Sequence, residues 1–255
     1  MEKSLYNKLI HQLGMSDAIN EYIEVLLRQF ESAPHSEASF QELASRFGIR
    51  VNDVSPKTAM KKVREYYIIT VFQVFEDFLE QMHDYLKNYC EYQGKKDPSV
   101  PMLKLVHKNL IGMQRVSEHS YLNYLICDYY RLIRNLCAHT DNVNKVQTAY
   151  SLLQERKEEI QEMYPQLSSP HSYDDIDFDD FILYSRAVKN LACLYVTNMK
   201  YDINKFIDKS GLERFRRYRN NPKRLRAKLM QELTVKHSVD SENIEKMVDK
   251  LIEIV

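Results

Sequence analysis

Arg134-Asn135-Leu136-Cys137-Ala138-His139 places a permanent cation, an amide and an imidazole within six positions. An imidazole can move a proton near neutral pH, and a guanidinium can neutralise charge on a phosphate in a transition state. That is the minimum equipment for cutting RNA without a metal. On a helix Arg131, Asn135 and His139 fall at i, i+4 and i+8 and share one face, with Arg134 a turn beyond Arg131. The motif closes a long apolar helical pattern from Tyr121 to Cys137, and Thr140-Asp141-Asn142 offers a stop. Bringing Arg134 and His139 together requires only that the helix loosen near its end. The competing reading is electrostatic, since both residues meet the negative end of a helix dipole favourably.

The elements that must position this motif are set by where helix breakers fall. Glycines and prolines cluster, leaving 57–93, 113–164 and 171–210 uninterrupted. Met60, Val63, Tyr67, Val71, Val74, Phe78, Met82, Tyr85 and Tyr89 step by three or four, and Ile68, Phe72, Phe75, Leu79 and Leu86 form a second row. This predicts a central helix packed on two sides. Further helices are expected from Asp97-Pro98-Ser99 to Gly112, from about Ser117 to Ala138, from Val143 to Met163, and through Phe181 to Phe206. Period-two alternation bounded by turns is nearly absent. The expected fold is all-α, with an N-terminal helical segment (1–55) packed on a helical bundle (56–208), then a basic segment and a terminal amphipathic helix (209–255).

The pattern R-N-x-x-x-H in such a helical chain resembles the HEPN superfamily, over the six-residue motif and the helical context of about residues 57–210. The resemblance implies an all-α bundle and, in many members, a metal-independent ribonuclease of toxin, anti-phage or RNA-processing systems. It casts Arg134 and His139 as the catalytic pair and Asn135 as the polar residue after the arginine. It also implies an active site shared across a homodimer, with no cofactor and with a possible neutralising or regulatory protein partner. One departure bears on a subfamily: toxins silenced at a tyrosine two places after the histidine require Tyr there, and this chain has Asp141.

A single motif supplies one arginine and one histidine, whereas in-line cleavage wants both a proton acceptor and a donor. A two-fold dimer supplies two of each, with the Arg131, Asn135 and His139 face directed at the partner. In a monomer, Glu118 and His119 are the nearest other candidates.

Other charge clusters are read against plainer roles. Asp174, Asp175, Asp177, Asp179 and Asp180 lack the glycine and terminal glutamate of an EF-hand loop, so they are expected to cap the helix that follows. From Lys209 to Lys228 nine basic residues face one acid, Glu213. Arg214, Arg216, Arg217, Arg219, Lys223 and Arg224, with Phe215 and Tyr218 interleaved, are expected to contact RNA together with Arg131. The alternative is a solvated basic connector in a catalytically inactive RNA-binding or protein-interaction module. The final segment either docks on the core or pairs with another chain.

Acids and bases balance at 36 each, so no global field draws the chain to nucleic acid. The first residues lack a signal peptide's basic-then-apolar build, and the longest apolar stretch, Tyr66 to Phe72, is too short to span a bilayer. Cys90, Cys127, Cys137 and Cys193 lack C-x-x-C spacing and are expected as small core residues in a reducing cytoplasm. Phe40 to Ile49 faintly resembles the start of a helix-turn-helix, but the recognition helix from Val51 would be broken by Pro56.

Overall fold

The structure, a computed structural model, describes residues 2–32, 37–51, 54–112, 118–138, 143–168, 170–205, 211–237 and 241–254. Among them every extended element is helical, and β-type pairing is confined to an isolated bridge between Cys90 and Tyr201. The α-helices are α1 (Glu2–Ser32), α2 (Glu37–Arg46), α3 (Pro56–Tyr89), α4 (Met102–Leu110), α5 (Glu118–Ala138), α6 (Val143–Glu155), α7 (Lys157–Met163), α8 (Phe178–Thr197), α9 (Pro222–Glu232) and α10 (Ser241–Ile254). The all-α expectation holds. None of these helices is long and apolar enough to cross a membrane.

Local chemistry sets most boundaries. Pro56 sits at the first turn of α3, where its missing N–H costs nothing, and the Ser55 hydroxyl accepts from the Thr58 N–H at 3.2 Å. The segment after α2 turns at Gly48, whose φ of 69° favours glycine, and residues 49–51 are not helical. Among the described residues no helix therefore begins at Val51, where a recognition helix would have to start. The helix expected from Asp97 begins at Met102 instead. The Asp97 carboxylate accepts from both the N–H and the hydroxyl of Ser99, which fixes a turn, and Pro101 then serves as the cap. The expected helix from Val143 to Met163 is broken at Arg156, whose ψ of 21° interrupts it.

The chain divides into two compact units, each drawing on distant segments. Residues 12–73 and 122–188 form the motif unit. Its core gathers Tyr67, Ile68 and Val71 of α3, Ile126, Tyr129, Tyr130 and Ile133 of α5, and Phe181, Tyr184 and Val188 of α8. Residues 1–11, 74–121 and 189–255 form the terminal unit. There Phe215, Leu225, Leu229 and Leu233 pack against Ile244, Met247, Val248 and Leu251. The terminal amphipathic helix thus docks within its own chain. Cys90 and Cys127 are buried as expected; Cys137 is half-buried and Cys193 exposed, because each sits on a helix side turned partly from the core.

Candidate functional site

α5 is amphipathic, with Asn123, Asp128, Arg131, Arg134 and Asn135 among its apolar residues, and its last two turns carry the motif as far as Ala138. Ile133 and Leu136 are buried, and this fixes the azimuth of the polar residues between them. Arg134 and Asn135 are half-buried. The Arg134 guanidinium lies 4.7 Å from the centre of the Phe72 ring, on α3, and donates to Asn135 Oδ1 at 3.3 Å. A planar cation stacked on an aromatic face is held in one orientation without being neutralised. Among the described residues Arg134 makes no ion pair. Arg131 differs: its side chain is 14% exposed, and its Nε donates to Asp128 Oδ1 at 2.8 Å. That carboxylate occupies the charge expected to face RNA. His139 and the stop Thr140-Asp141-Asn142 lie outside the described residues, as do the side chains of Glu118 and His119.

Beside the motif, Cys137 Sγ lies 3.7 Å from Glu65 Oε2, and Lys62 closes on the same carboxylate at 2.7 Å. Burial, reinforced by Glu65, pushes the Cys137 thiol up to about 11. It is a neutral thiol and not a nucleophile.

In the motif unit two members of the acidic run, Asp177 and Asp180, also gather His171, which the sequence did not single out. Asp180 is completely buried. It accepts from the Tyr130 hydroxyl (2.8 Å), the His171 N–H (2.9 Å), His171 Nδ1 (2.8 Å) and the Asp177 N–H (3.0 Å). Hydrogen bonds to Asp177 and Asp180 raise the His171 imidazole to about 10, so it is a cation at neutral pH. Tyr129 donates its hydroxyl to the His171 carbonyl. Asp177 accepts from the N–H groups of Asp179 (2.8 Å) and Asp180 (3.4 Å) and thereby caps α8. The capping expectation for the acidic run holds there. The rest are also engaged: Asp174 with Lys61, Asp175 with Ser172 and Asp179 with Ser168. One donor atom each from His171, Asp177 and Asp180 lies within 4.8 Å of the others. Asp180's oxygens are already filled by four donors and His171 Nδ1 carries a proton, so the cluster fits an imidazolium rather than a metal ion. The available signal was a histidine six residues before the capping aspartate.

The basic run folds as a 3₁₀ helix, Leu212–Tyr218, followed by α9. Asn221 caps α9 by accepting from the Arg224 N–H at 3.1 Å, with Pro222 at the first turn. Phe215 is buried and cannot serve as the expected base-stacking surface; its spacing to Leu225 and Leu229 turns it inward. Tyr218 is half-exposed, with the guanidinium groups of Arg217 and Arg224 at 4.8 and 5.0 Å from its ring centre. Arg214 pairs with Glu232 and stacks on Phe215 at 5.0 Å. Arg226 pairs with Glu245 and Asp249 of α10. Arg216, Arg219 and Lys223 are exposed, and Lys209 lies outside the described residues. Arg214, Arg217, Tyr218 and Lys228 line a cavity of about 330 Å³. Lys200, Lys246 and Lys250 line another of about 450 Å³ in the same unit. The i, i+4 spacing of Lys246 and Lys250 on α10 was the signal for these two. No family model, curated protein or solved structure matches the chain.

Proposed function

We propose that the chain is a metal-independent endoribonuclease of HEPN type, of the toxin or anti-phage defence class. The observation that supports it most is Arg134, a motif arginine fixed on the Phe72 ring and on Asn135 yet paired with no carboxylate among the described residues. A structural arginine of this kind is ordinarily neutralised, as Arg131 is by Asp128. In this reading the RNA 2′-oxygen attacks the adjacent phosphorus and the bond to the 5′-oxygen breaks. His139 takes the 2′-OH proton or delivers one to the departing 5′-oxygen. Arg134 bears the charge of the pentacoordinate phosphorane, and Asn135 orients the phosphate or the histidine. The products are a 2′,3′-cyclic phosphate and a 5′-OH. A second copy of the motif supplies the complementary acid or base, so the working enzyme is a homodimer in the cytoplasm, under a neutralising or regulatory protein partner.

Digestion of RNA in EDTA by wild type, Arg134→Ala and His139→Ala tests this. Loss of cleavage in both variants with unchanged melting is expected, and equal cleavage by all three rejects the assignment. A second reading draws on the terminal unit. Arg217 and Arg224 around Tyr218, with exposed Arg219 and Lys223, present an RNA-binding surface that needs no catalysis. Binding without cleavage would favour this inactive module.

A further inference from the structure

α1 buries part of its apolar content, Leu13 fully and Ile23, Leu27 and Phe30 partly, but not all of it. Within the motif unit it turns two polar residues inward, Asn20 and Glu24, both nearly fully buried. Asn20 donates to the Thr70 hydroxyl at 3.0 Å, and Glu24 accepts from Arg64 at 2.9 Å, so the inward face is satisfied by α3. The other side carries Met15, Ile19, Tyr22, Val25 and Leu26, each between 49% and 68% exposed.

The exposed row has the geometry of a helix–helix seam. Met15, Ile19, Tyr22 and Leu26 are spaced four, three and four apart, the a/d rhythm of a coiled coil. The row continues at each end into an uncharged residue, Gln12 and Gln29. Across a two-fold axis any charge in the seam of one copy recurs in the seam of the other, and here the seam holds none. The order is also self-complementary. About a point midway between Ile19 and Tyr22, Ile19 faces Tyr22, Met15 faces Leu26 and Gln12 faces Gln29. Antiparallel pairing of α1 with itself therefore sets a and d positions opposite one another throughout.

We propose that this face pairs with α1 of a second copy of the chain, antiparallel, with Ile19 against Tyr22 of the partner subunit. The five apolar residues expose roughly 500–600 Å² per copy, so pairing buries on the order of 1,000–1,200 Å² in total, the small end of specific interfaces. The dimer is accordingly concentration-dependent. The inference rests on α1 alone and not on the ribonuclease reading. It places the second copy on α1 in place of the α5 face expected from the sequence, and the ribonuclease reading then requires its two motifs to approach within this same dimer.

The test is sedimentation of the full chain across a concentration series. Wild type is expected to rise from one chain mass to two. Ile19→Glu/Tyr22→Glu is expected to stay at one, with unchanged circular dichroism and melting. In a Cys193→Ser background, which removes the exposed native thiol, Ile19→Cys mixed with Tyr22→Cys is expected to form an interchain disulfide faster than either alone. A wild type that stays at one chain mass overturns the proposal, and so does a dimer indifferent to the α1 double variant. Faster self-coupling of Ile19→Cys would overturn the antiparallel register. Dissociation by Arg131→Glu alone would overturn it too, and would put the seam on α5. RNA cleavage is scored separately: its loss in Arg134→Ala with the dimer intact bears only on the ribonuclease reading.

Discussion

Truncation of Asp180 to alanine removes the acceptor on which four donors converge. The Tyr130 hydroxyl, on a fully buried side chain, then loses its partner, which costs about 1–3 kcal/mol. The N–H groups of His171 and Asp177 belong to half-buried residues and partly regain water, so they add little. Loss of the buried carboxylate beneath the His171 imidazolium adds the remainder, bringing the total to about 3–5 kcal/mol. For a chain of this size that is a fall on the order of 10 °C in melting temperature. Urea unfolding followed by circular dichroism measures it. A loss below about 1 kcal/mol at unchanged denaturant slope would show that the cluster does not hold the loop before α8 in place.

The same pair fixes a pH window. His171 titrates at about 10 in the folded chain, above its ordinary 6.5, because it donates to Asp177 and Asp180. A raised value means the stabilisation is complete below about pH 6.5 and fades as pH climbs toward 10. Asp180→Asn keeps the shape but removes the charge, so its stability is expected to decline less over that window than wild type. An equal or steeper decline in Asp180→Asn would refute the linkage.

Three further outcomes follow from the same geometry. Thiol titration of the native chain is expected to modify Cys193 first and Cys137 slowly, with Cys90 and Cys127 reacting only on unfolding; rapid native reaction of Cys127 would contradict its burial. Gly94→Ala would set a Cβ 2.3 Å from the hydroxyl of Tyr92, itself buried and bonded to His83 at 2.9 Å, for a cost of about 1–3 kcal/mol in thermal unfolding; a neutral substitution would mean the Tyr92 site yields freely. Arg217→Ala/Lys223→Ala/Arg224→Ala is expected to weaken single-stranded RNA binding whatever the sequence, lowering the log–log salt slope by about 0.7 for each phosphate left unneutralised; an unchanged slope removes this segment from the RNA surface.

What the sequence made legible was whatever depends on neighbours along the chain. Pro56, the breaker before the uninterrupted stretch 57–93, marked the start of α3, the run of aspartates marked the start of α8, and the period in Ile244, Met247, Val248 and Leu251 marked the buried face of α10. Pairings between distant segments left weaker traces. Nothing local announces that Phe72 will lie under Arg134, or that Tyr130 will reach across fifty positions to Asp180. Phe215 misled because an aromatic among arginines reads alike whether it stacks on a base or seals a small core; only Leu225 and Leu229 decide it. α1 is the sharpest instance. Its apolar residues lie on more than one side: Leu13 is buried, and hydrophobicity taken residue by residue would bury Ile19 and Leu26 as well and leave Asn20 and Glu24 in water. The structure does the reverse because Thr70 and Arg64 on α3 satisfy the two polar groups. Burying polar groups while exposing apolar ones gains nothing for a chain that stays alone, and the arrangement is favourable when the exposed side is covered by another chain.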